Sequence, residues 1–374
     1  MSNDPALTAS LPVRMAAAAR RVADLGLDAL LVTPGPDLRY LTGYDAIALE
    51  RLTCLVVPAT GDPSIVVPTL ERPAALASPV GALGLTVHAW DETDDPYRLV
   101  AGLLPGADCV ALDDHMWAAK VLALRAAMPS TDQRPGGAVL RELRMRKSPA
   151  EVSALRAAGA AVDAVHAQVA QWLKPGRTEA EVGRDIADAI LAAGHATVDF
   201  TIVAAGPNAA SPHHELSDRV IREGEAVVVD IGGTMPSGYA SDSTRTYAVG
   251  DPDAEFLALY QVLQAAQEAA CEWVRPGVTC ASVDAAARDV IDAAGYGELF
   301  VHRTGHGIGL ETHEDPYIVA GNELPLEPGM AFSVEPGIYA ERRHGARIED
   351  IVVVTADGVE RLNLTPRALV VLDA

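Results

Sequence analysis

The chain of 374 residues is long enough for two domains of about 100–200 residues each. Its 51 acidic residues outnumber 29 basic ones and give a formal charge of −22, a repulsion of phosphate that excludes nucleic-acid and anionic-membrane partners, which clustered Lys and Arg would have to hold. A hydrophobic fraction of 49% with 21% charged residues excludes a disordered chain. Cys54, Cys109, Cys271 and Cys280 lack CxxC spacing, no basic segment followed by a long apolar run opens the sequence, and no apolar run reaches the ~18 residues of a membrane span, so a cytoplasmic protein without disulfides is expected.

In chain order, ALLVT at 29–33, TCLVVP at 53–58, SIVVP at 64–68, LTVHAW at 85–90 and CVAL at 109–112 read as strands alternating with helical patterns, which predicts an α/β domain over residues 1–147. After the basic RELRMRKS at 141–148, Ser148-Pro149-Ala150-Glu151 has the form of a capping box with proline at the first helical position, so a second domain, residues 148–374, opens on a helix over about 149–173. The charge divides unevenly across that boundary: 17 acids and 14 bases before it, 34 acids and 15 bases after it, with eight of the ten histidines also in the second part. The second domain repeats itself. Lys174-Pro175-Gly176-Arg177-Thr178 and the helix after it recur from Arg275-Pro276-Gly277-Val278-Thr279 at a constant offset of 101 residues (275 − 174), each copy capped by Thr, stopped by Gly194 or Gly295 and preceded by another helix, the second over about 253–274. Two helix-helix-sheet halves with a site between them are the expectation.

Three segments of the second domain read as buried strands, AVVVDIGG at 226–233, AFSVEPGIY at 331–339 and ARIEDIVVV at 346–354, and each carries an acid inside its apolar run: Asp230, Glu335 and Glu349. An ionised carboxylate in such a place costs several kcal/mol unless it is paired, protonated or bound to a cation. Singly, Asp230 could open a turn before Gly-Gly, Glu335 could end a strand before Pro336, and Glu349 could pair with Arg347. Asp242, on the return strand of a hairpin from Asp230, makes a fourth, and the same segments offer only Arg245 and Arg347 as counter-charges. A metal is the economical cation, and carboxylates with an imidazole suit Mn, Fe, Co or Zn rather than a thiolate site. HRTGHGIGLETHEDP supplies His302, His306 and His313, with glycines that argue for strand and tight turn rather than helix, and SPHHE supplies His213 and His214. His214 and His344 read as structural.

In this order, PHHE, VVVDIGG…GYASDSTRTY, HRTGHGIGLETHEDP, SVEPGIY and ARIED resemble the Xaa-Pro peptidases of the pita-bread metallopeptidase family, prolidase and aminopeptidase P; YLTGY at 40–44 resembles that family's creatinase-like N-terminal domain more weakly. The resemblance implies a creatinase-like α/β domain followed by an α+β pita-bread catalytic domain with pseudo-two-fold duplication. It implies two divalent ions, Mn2+ by family precedent with Co2+ or Zn2+ as alternatives, held by Asp230, Asp242, His306, Glu335 and Glu349, with Asp242 and Glu349 bridging. A hydroxide shared by the metals would attack the peptide bond before proline. Glu335 would handle the proton, His213, His302 and His313 would steady substrate or the developing oxyanion, and Arg347 would stand beside the last ligand.

This chain departs from the family in two places. Twelve positions separate the aspartates (242 − 230), often eleven in the family, so a bulge is expected in the turn TMPSG. Tyr317 stands where some prolidases place an arginine for the dipeptide carboxylate, which leaves Arg303, Arg342 and Arg343 as candidates. The implied activity is that of an Xaa-Pro dipeptidase on small peptides with proline second, with aminopeptidase P on longer peptides as the alternative. Metal-free creatinase-type enzymes and non-catalytic pita-bread binding modules fit less well, because both lack the ligand set, and methionine aminopeptidase fits less well because of the long first domain. A homodimer is implied by the same resemblance.

Overall fold

In the computed structural model, which describes residues 4–373, the chain divides into two units, Met1–Arg144 and Met145–Ala374. The first unit is built on β1 (Ala29–Val32), β2 (Cys54–Pro58), β3 (Ser64–Pro68), β4 (Thr86–Trp90), β5 (Cys109–Leu112) and β6 (Asp132–Pro135), in the sheet order β4-β3-β2-β1-β5-β6. Its first three strands are apolar and buried almost throughout, as fits strands covered on both faces. Helix α1 (Pro5–Asp24) starts where the Asp4 carboxylate accepts from the backbone of Ala6 and Leu7, and α2 to α6 follow at Pro36–Thr42, Arg72–Ala77, Pro96–Leu103, Ala118–Ala127 and Gly137–Met145. Strand β6, DQRP, has no apolar signature in the sequence; it is a mostly exposed edge strand closed by a proline.

The second unit opens with α7 (Pro149–His166), whose capping box of Ser148 and Glu151 is formed as its residues dictate. The single helix expected to 173 is broken at 167–168, and a short α8 (Val169–Trp172) completes it. Helices α9 (Glu179–Ala192), α10 (Ala254–Trp273) and α11 (Cys280–Ala293) follow. The first and the last residues of α9 and α11 are each 101 apart (280 − 179 and 293 − 192), and Thr178 and Thr279 cap both. Each buries one stripe at i, i+4 and i+8: Val182, Ile186 and Ile190 in one core, Val283, Ala287 and Ile291 in the other.

Against α9 lies a four-stranded sheet in the order β17-β9-β8-β7, from β7 (Thr197–Ala205), β8 (Glu225–Thr234), β9 (Ala240–Val249) and β17 (Val370–Leu372). The half of α11 is built on five strands in the order β11-β10-β12-β15-β16: β10 (Gly305–Gly307), β11 (Glu314–Ile318), β12 (Ala331–Val334), β15 (Asp350–Val354) and β16 (Val359–Arg361). A separate two-stranded ribbon pairs β13 (Gly337–Ala340) with β14 (His344–Arg347). Two of the three acid-bearing strands expected from the sequence are therefore interrupted. The chain leaves the five-stranded sheet after Val334, enters the ribbon at Gly337, and returns through 348–349. Glu335 and Glu349 stand at those two crossings rather than inside strands. Pro336, which cannot donate to a ladder, marks the first.

Candidate metal centre

Asp230 and Asp242 are brought together by the β8–β9 hairpin, in which Asp230 faces Thr244 and Gly232 faces Asp242. An even separation across an unbroken ladder leaves both carboxylates on one face. The expected bulge is absent: pairing continues in register to Thr234 and Ala240, and the loop 235–239 takes up the length. His306 is the centre of the three-residue strand β10. A Cβ at Gly305 would come within 1.8 Å of the Ser333 carbonyl oxygen and one at Gly307 within 2.2 Å of that of Asp315, so only glycines allow the neighbouring backbones to close around His306. The Ser333 hydroxyl accepts from the His306 N–H (3.0 Å) and donates to Glu335 (3.0 Å), tying the imidazole strand to the crossing at 335.

The candidate ligand atoms gather in overlapping groups whose members lie within 4.8 Å of one another: Asp230, Asp242 and Glu349; His306, Glu335 and Glu349; and Asp242, His306 and His313. Two ionised carboxylates at that separation repel by roughly 3–4 kcal/mol at an effective dielectric near 20. Burial, and next the charges of Glu349, Asp230 and Glu335, hold the Asp242 carboxyl well above its usual range. Burial, followed by Glu335 and Asp230, does the same to Glu349. Burial is the largest influence on Glu335 and would raise it, but the hydrogen bond and charge of His306 together with the charges of His302 and Arg347 outweigh it and set it at about 2.

Two observations test whether a cation fits. Asp230 Oδ1 and Glu349 Oε1 are buried with no hydrogen-bond partner, although Asp230 Oδ2 pairs with Arg347 and Glu349 Oε2 accepts from Thr244 Oγ1 at 2.7 Å. His306 Nδ1 is 3.1 Å from the Gly307 carbonyl, which can only accept, so Nδ1 carries the proton and Nε2 faces Glu335 at 3.1 Å and Asp242 at 3.6 Å. A lone pair aimed at carboxylate oxygens requires a proton or a metal between them, and the Nδ1–H···O=C bond is the usual support of a ligating histidine. The residues fit divalent cations.

Arg347 is the hub on the other side. Besides Asp230, its guanidinium donates to Thr244 Oγ1 (3.1 Å), the Tyr339 hydroxyl (2.9 Å) and the Pro212 carbonyl (3.2 Å). Tyr339, which lies in the SVEPGIY stretch but is not identifiable as a site residue there, lies 2.8 Å from His302 Nε2, whose ring donates through Nδ1 to the Arg303 carbonyl at 2.7 Å. Both nitrogens of His302 are thus engaged. His313 lies beside His306 with ring centroids 3.8 Å apart and ring planes tilted by 41°; burial, then the charge of His306, pushes its pKa down to about 4. His213 is exposed and lies within electrostatic reach of His302 and His313. His214 is turned instead to Glu179 at 2.8 Å, and the buried His344 packs edge-on against Phe256, 5.3 Å between centroids. Among the candidate arginines, Arg342 and Arg343 pair with Glu341 and Glu255. Arg303 lies 4.4 Å over the Tyr317 ring and reaches to 3.5 Å from His313 Nδ1.

A second acid–histidine group, Asp37, Asp113 and His115 in the first unit, is already supplied with donors: Arg144 reaches Asp37 at 2.8 Å, and the Thr33 amide and hydroxyl reach Asp113 at 2.7 and 2.6 Å.

Duplicated helix-sheet halves enclosing a carboxylate–imidazole centre define a metallopeptidase. The chain belongs to metallopeptidase family M24, which residues 153–356 match, and residues 14–146 match the creatinase/prolidase N-terminal domain. It is 56% identical over 365 residues to the "Probable dipeptidase PepE" of Mycobacterium tuberculosis, covering 96% of both chains, and 37% identical over 346 residues to the Xaa-Pro dipeptidase of Lactobacillus helveticus, covering 90% of this chain and 92% of that one. The crystal structure of dipeptidase PepE from Mycobacterium ulcerans superposes with a TM-score of 0.95 at 55% identity over 100% of both chains.

Proposed function

We propose that this peptidase is a dinuclear metal-dependent Xaa-Pro dipeptidase, hydrolysing the peptide bond before proline in small peptides. The observation that carries the reading is the buried group of four carboxylates and one imidazole with orphaned oxygens on Asp230 and Glu349; the relatives named dipeptidase and Xaa-Pro dipeptidase support the substrate class. Asp230, Asp242, His306, Glu335 and Glu349 would hold two divalent ions, Mn2+ first, with Co2+ and Zn2+ as alternatives of the same oxygen-rich chemistry. Asp242, His306 and Glu349 each belong to two of the overlapping groups, and the family resemblance would make the carboxylates Asp242 and Glu349 the ligands shared between the ions. Bound there, the pair supplies Lewis acidity that lowers the pKa of water and polarises the scissile carbonyl.

The chain's own side chains do the rest. Glu335, held through the Ser333 hydroxyl beside His306, would accept the proton of the attacking water. The developing oxyanion needs a donor already in position, and His302 cannot serve without giving up one of its two bonds, so that role goes to His313, with His213 toward the substrate. Arg347 orients Asp230 and Tyr339. Tyr317 favours the alternative, aminopeptidase P acting on longer peptides; against it, Arg303 stacked on Tyr317 offers a guanidinium for a dipeptide carboxylate. We assign the catalytic domain to residues 148–374 and the N-terminal domain to 1–147, and expect a cytoplasmic homodimer; no helix of the described residues is long and apolar enough to cross a membrane.

The test is a substrate panel on manganese-reconstituted protein: Ala-Pro and Leu-Pro, an Xaa-Pro-Xaa tripeptide, a Met-starting peptide and creatine. Cleavage of the dipeptides alone is expected. Tripeptide cleavage would move the assignment to aminopeptidase P, and no cleavage with metal bound would leave a non-catalytic module.

A further inference from the structure

Two buried carboxylates outside the metal centre, Glu179 and Asp284, sit on the two copies of the duplicated helix, Glu179 opening α9 and Asp284 in the first turns of α11. Burying such a charge costs several kcal/mol unless its oxygens are fully engaged, and both are. Glu179 accepts from the Ala205 amide (2.8 Å), the Asn208 amide group (3.0 Å), the Ser217 hydroxyl (2.5 Å) and His214 Nε2 (2.8 Å). These donors are spread along the segment that leaves β7 and carries His213, of which 211–217 has no regular ladder of its own. On the other side of His213, the Pro212 carbonyl is held by Arg347. His213 is therefore gripped through both chain neighbours, while its own ring is exposed and hydrogen-bonded to nothing among the described residues.

In the second half, Asp284 accepts from the amide (3.0 Å) and hydroxyl (2.8 Å) of Thr304. Arg288, one turn along α11, pairs with Asp284 at 3.0 Å and donates to the His302 carbonyl at 2.9 Å. The backbone on both sides of Arg303 is fixed, and the Thr304 carbonyl in turn accepts from the Glu335 amide at 2.8 Å.

We propose that Glu179 and Asp284 are paired positioning residues, one per duplicated half, each holding the histidine segment of its own half, His213 or His302, against the metal centre. Charge-assisted bonds, about twice as strong as neutral ones, give a loop without a ladder the rigidity that a substrate contact needs. The inference rests on the reading of His213 as a substrate contact of the proposed peptidase, and of His302 as the support of the Tyr339 hydroxyl beside Arg347.

The experiment measures kcat and KM for Ala-Pro, together with bound manganese per chain, for Glu179→Gln, Ser217→Ala and His213→Ala and for the double variants of the first two with the third; Asp284→Asn is treated likewise with His302→Ala. Ser217→Ala removes one of the bonds to Glu179 at a half-buried position and keeps the test alive if Glu179→Gln fails to fold. The expected result is a loss in kcat/KM of about 10- to 100-fold for Glu179→Gln, as for a misplaced contact, a smaller loss for Ser217→Ala, two manganese per chain retained, and almost no further loss when either is added to His213→Ala. Equal losses in the presence and absence of His213 overturn the inference and leave the peptidase reading intact. Full activity of metal-loaded His213→Ala removes the assigned role of His213, and the inference with it.

Discussion

At the scale of single residues, burial decides which titrating groups carry charge. His166 shows this away from the metal centre. Its Nε2 lies 3.2 Å from the Ser243 carbonyl and must donate, so its Nδ1, 3.0 Å from the Tyr247 hydroxyl, accepts. Burial first, and then the charge of Arg245, push its pKa from 6.5 down to about 3. The unfolded chain takes up this proton as pH falls below 6.5 and the native one does not, so stability present at neutral pH is lost progressively between pH 6.5 and about 3. At pH 5 the term is about 2 kcal/mol. His166→Leu is expected to narrow the difference in urea stability between pH 7 and pH 5 by that amount, whatever it does to stability at pH 7; an unchanged difference would count against the neutral buried imidazole.

Elements repeat the residue logic with a period. Helices α9 and α11 were legible because Thr caps, Gly stops and the apolar stripe recur at one offset, all local signals. Their burial follows from the same stripe: Ile186 sits in the core of its half and is expected to cost about 2–5 kcal/mol as Ile186→Ala, whereas Thr178→Ala, losing one cap, is expected to cost about 1 kcal/mol. Urea unfolding of both variants checks the ranking. What local signals did not give was the interruption of the strands at Glu335 and Glu349, since AFSVEPGIY and ARIEDIVVV are apolar on both sides of the acid. Nor did they give β6, whose polar residues pair only because β5 offers an edge. Tyr339 was illegible for a further reason: a tyrosine in a strand is ordinary, and its role depends on Arg347 and His302 arriving from other segments.

Across the whole molecule, most of the formal charge of −22 falls after residue 147, and a small buried part of it matters most. Like charges held within 4.8 Å destabilise the fold unless cations are present. Metal that binds the native centre and not the unfolded chain adds about 2.7 kcal/mol at a free concentration of one hundred times Kd. Chelation is therefore expected to lower the melting temperature and restoration of Mn2+ to recover it, by several degrees each, in a scan at fixed protein concentration. A melting temperature indifferent to chelator and to added Mn2+ would mean that the carboxylates are balanced without metal.

By itself the sequence determined what short-range patterning and residue type can encode: an α/β first part, a helix opening on the Ser148 capping box, a duplicated pair of capped helices, and too many acids in apolar segments for their few cations. Those are properties of neighbours along the chain. Tertiary structure alone decided that Asp230 and Asp242 share a face without a bulge, that His302 has no nitrogen to spare while His313 does, and that Glu179 accepts from Ser217 and His214, and Asp284 from Thr304. Each of these depends on hydrogen bonds between residues far apart in sequence, whose directions are set only when the sheets and helices close on one another.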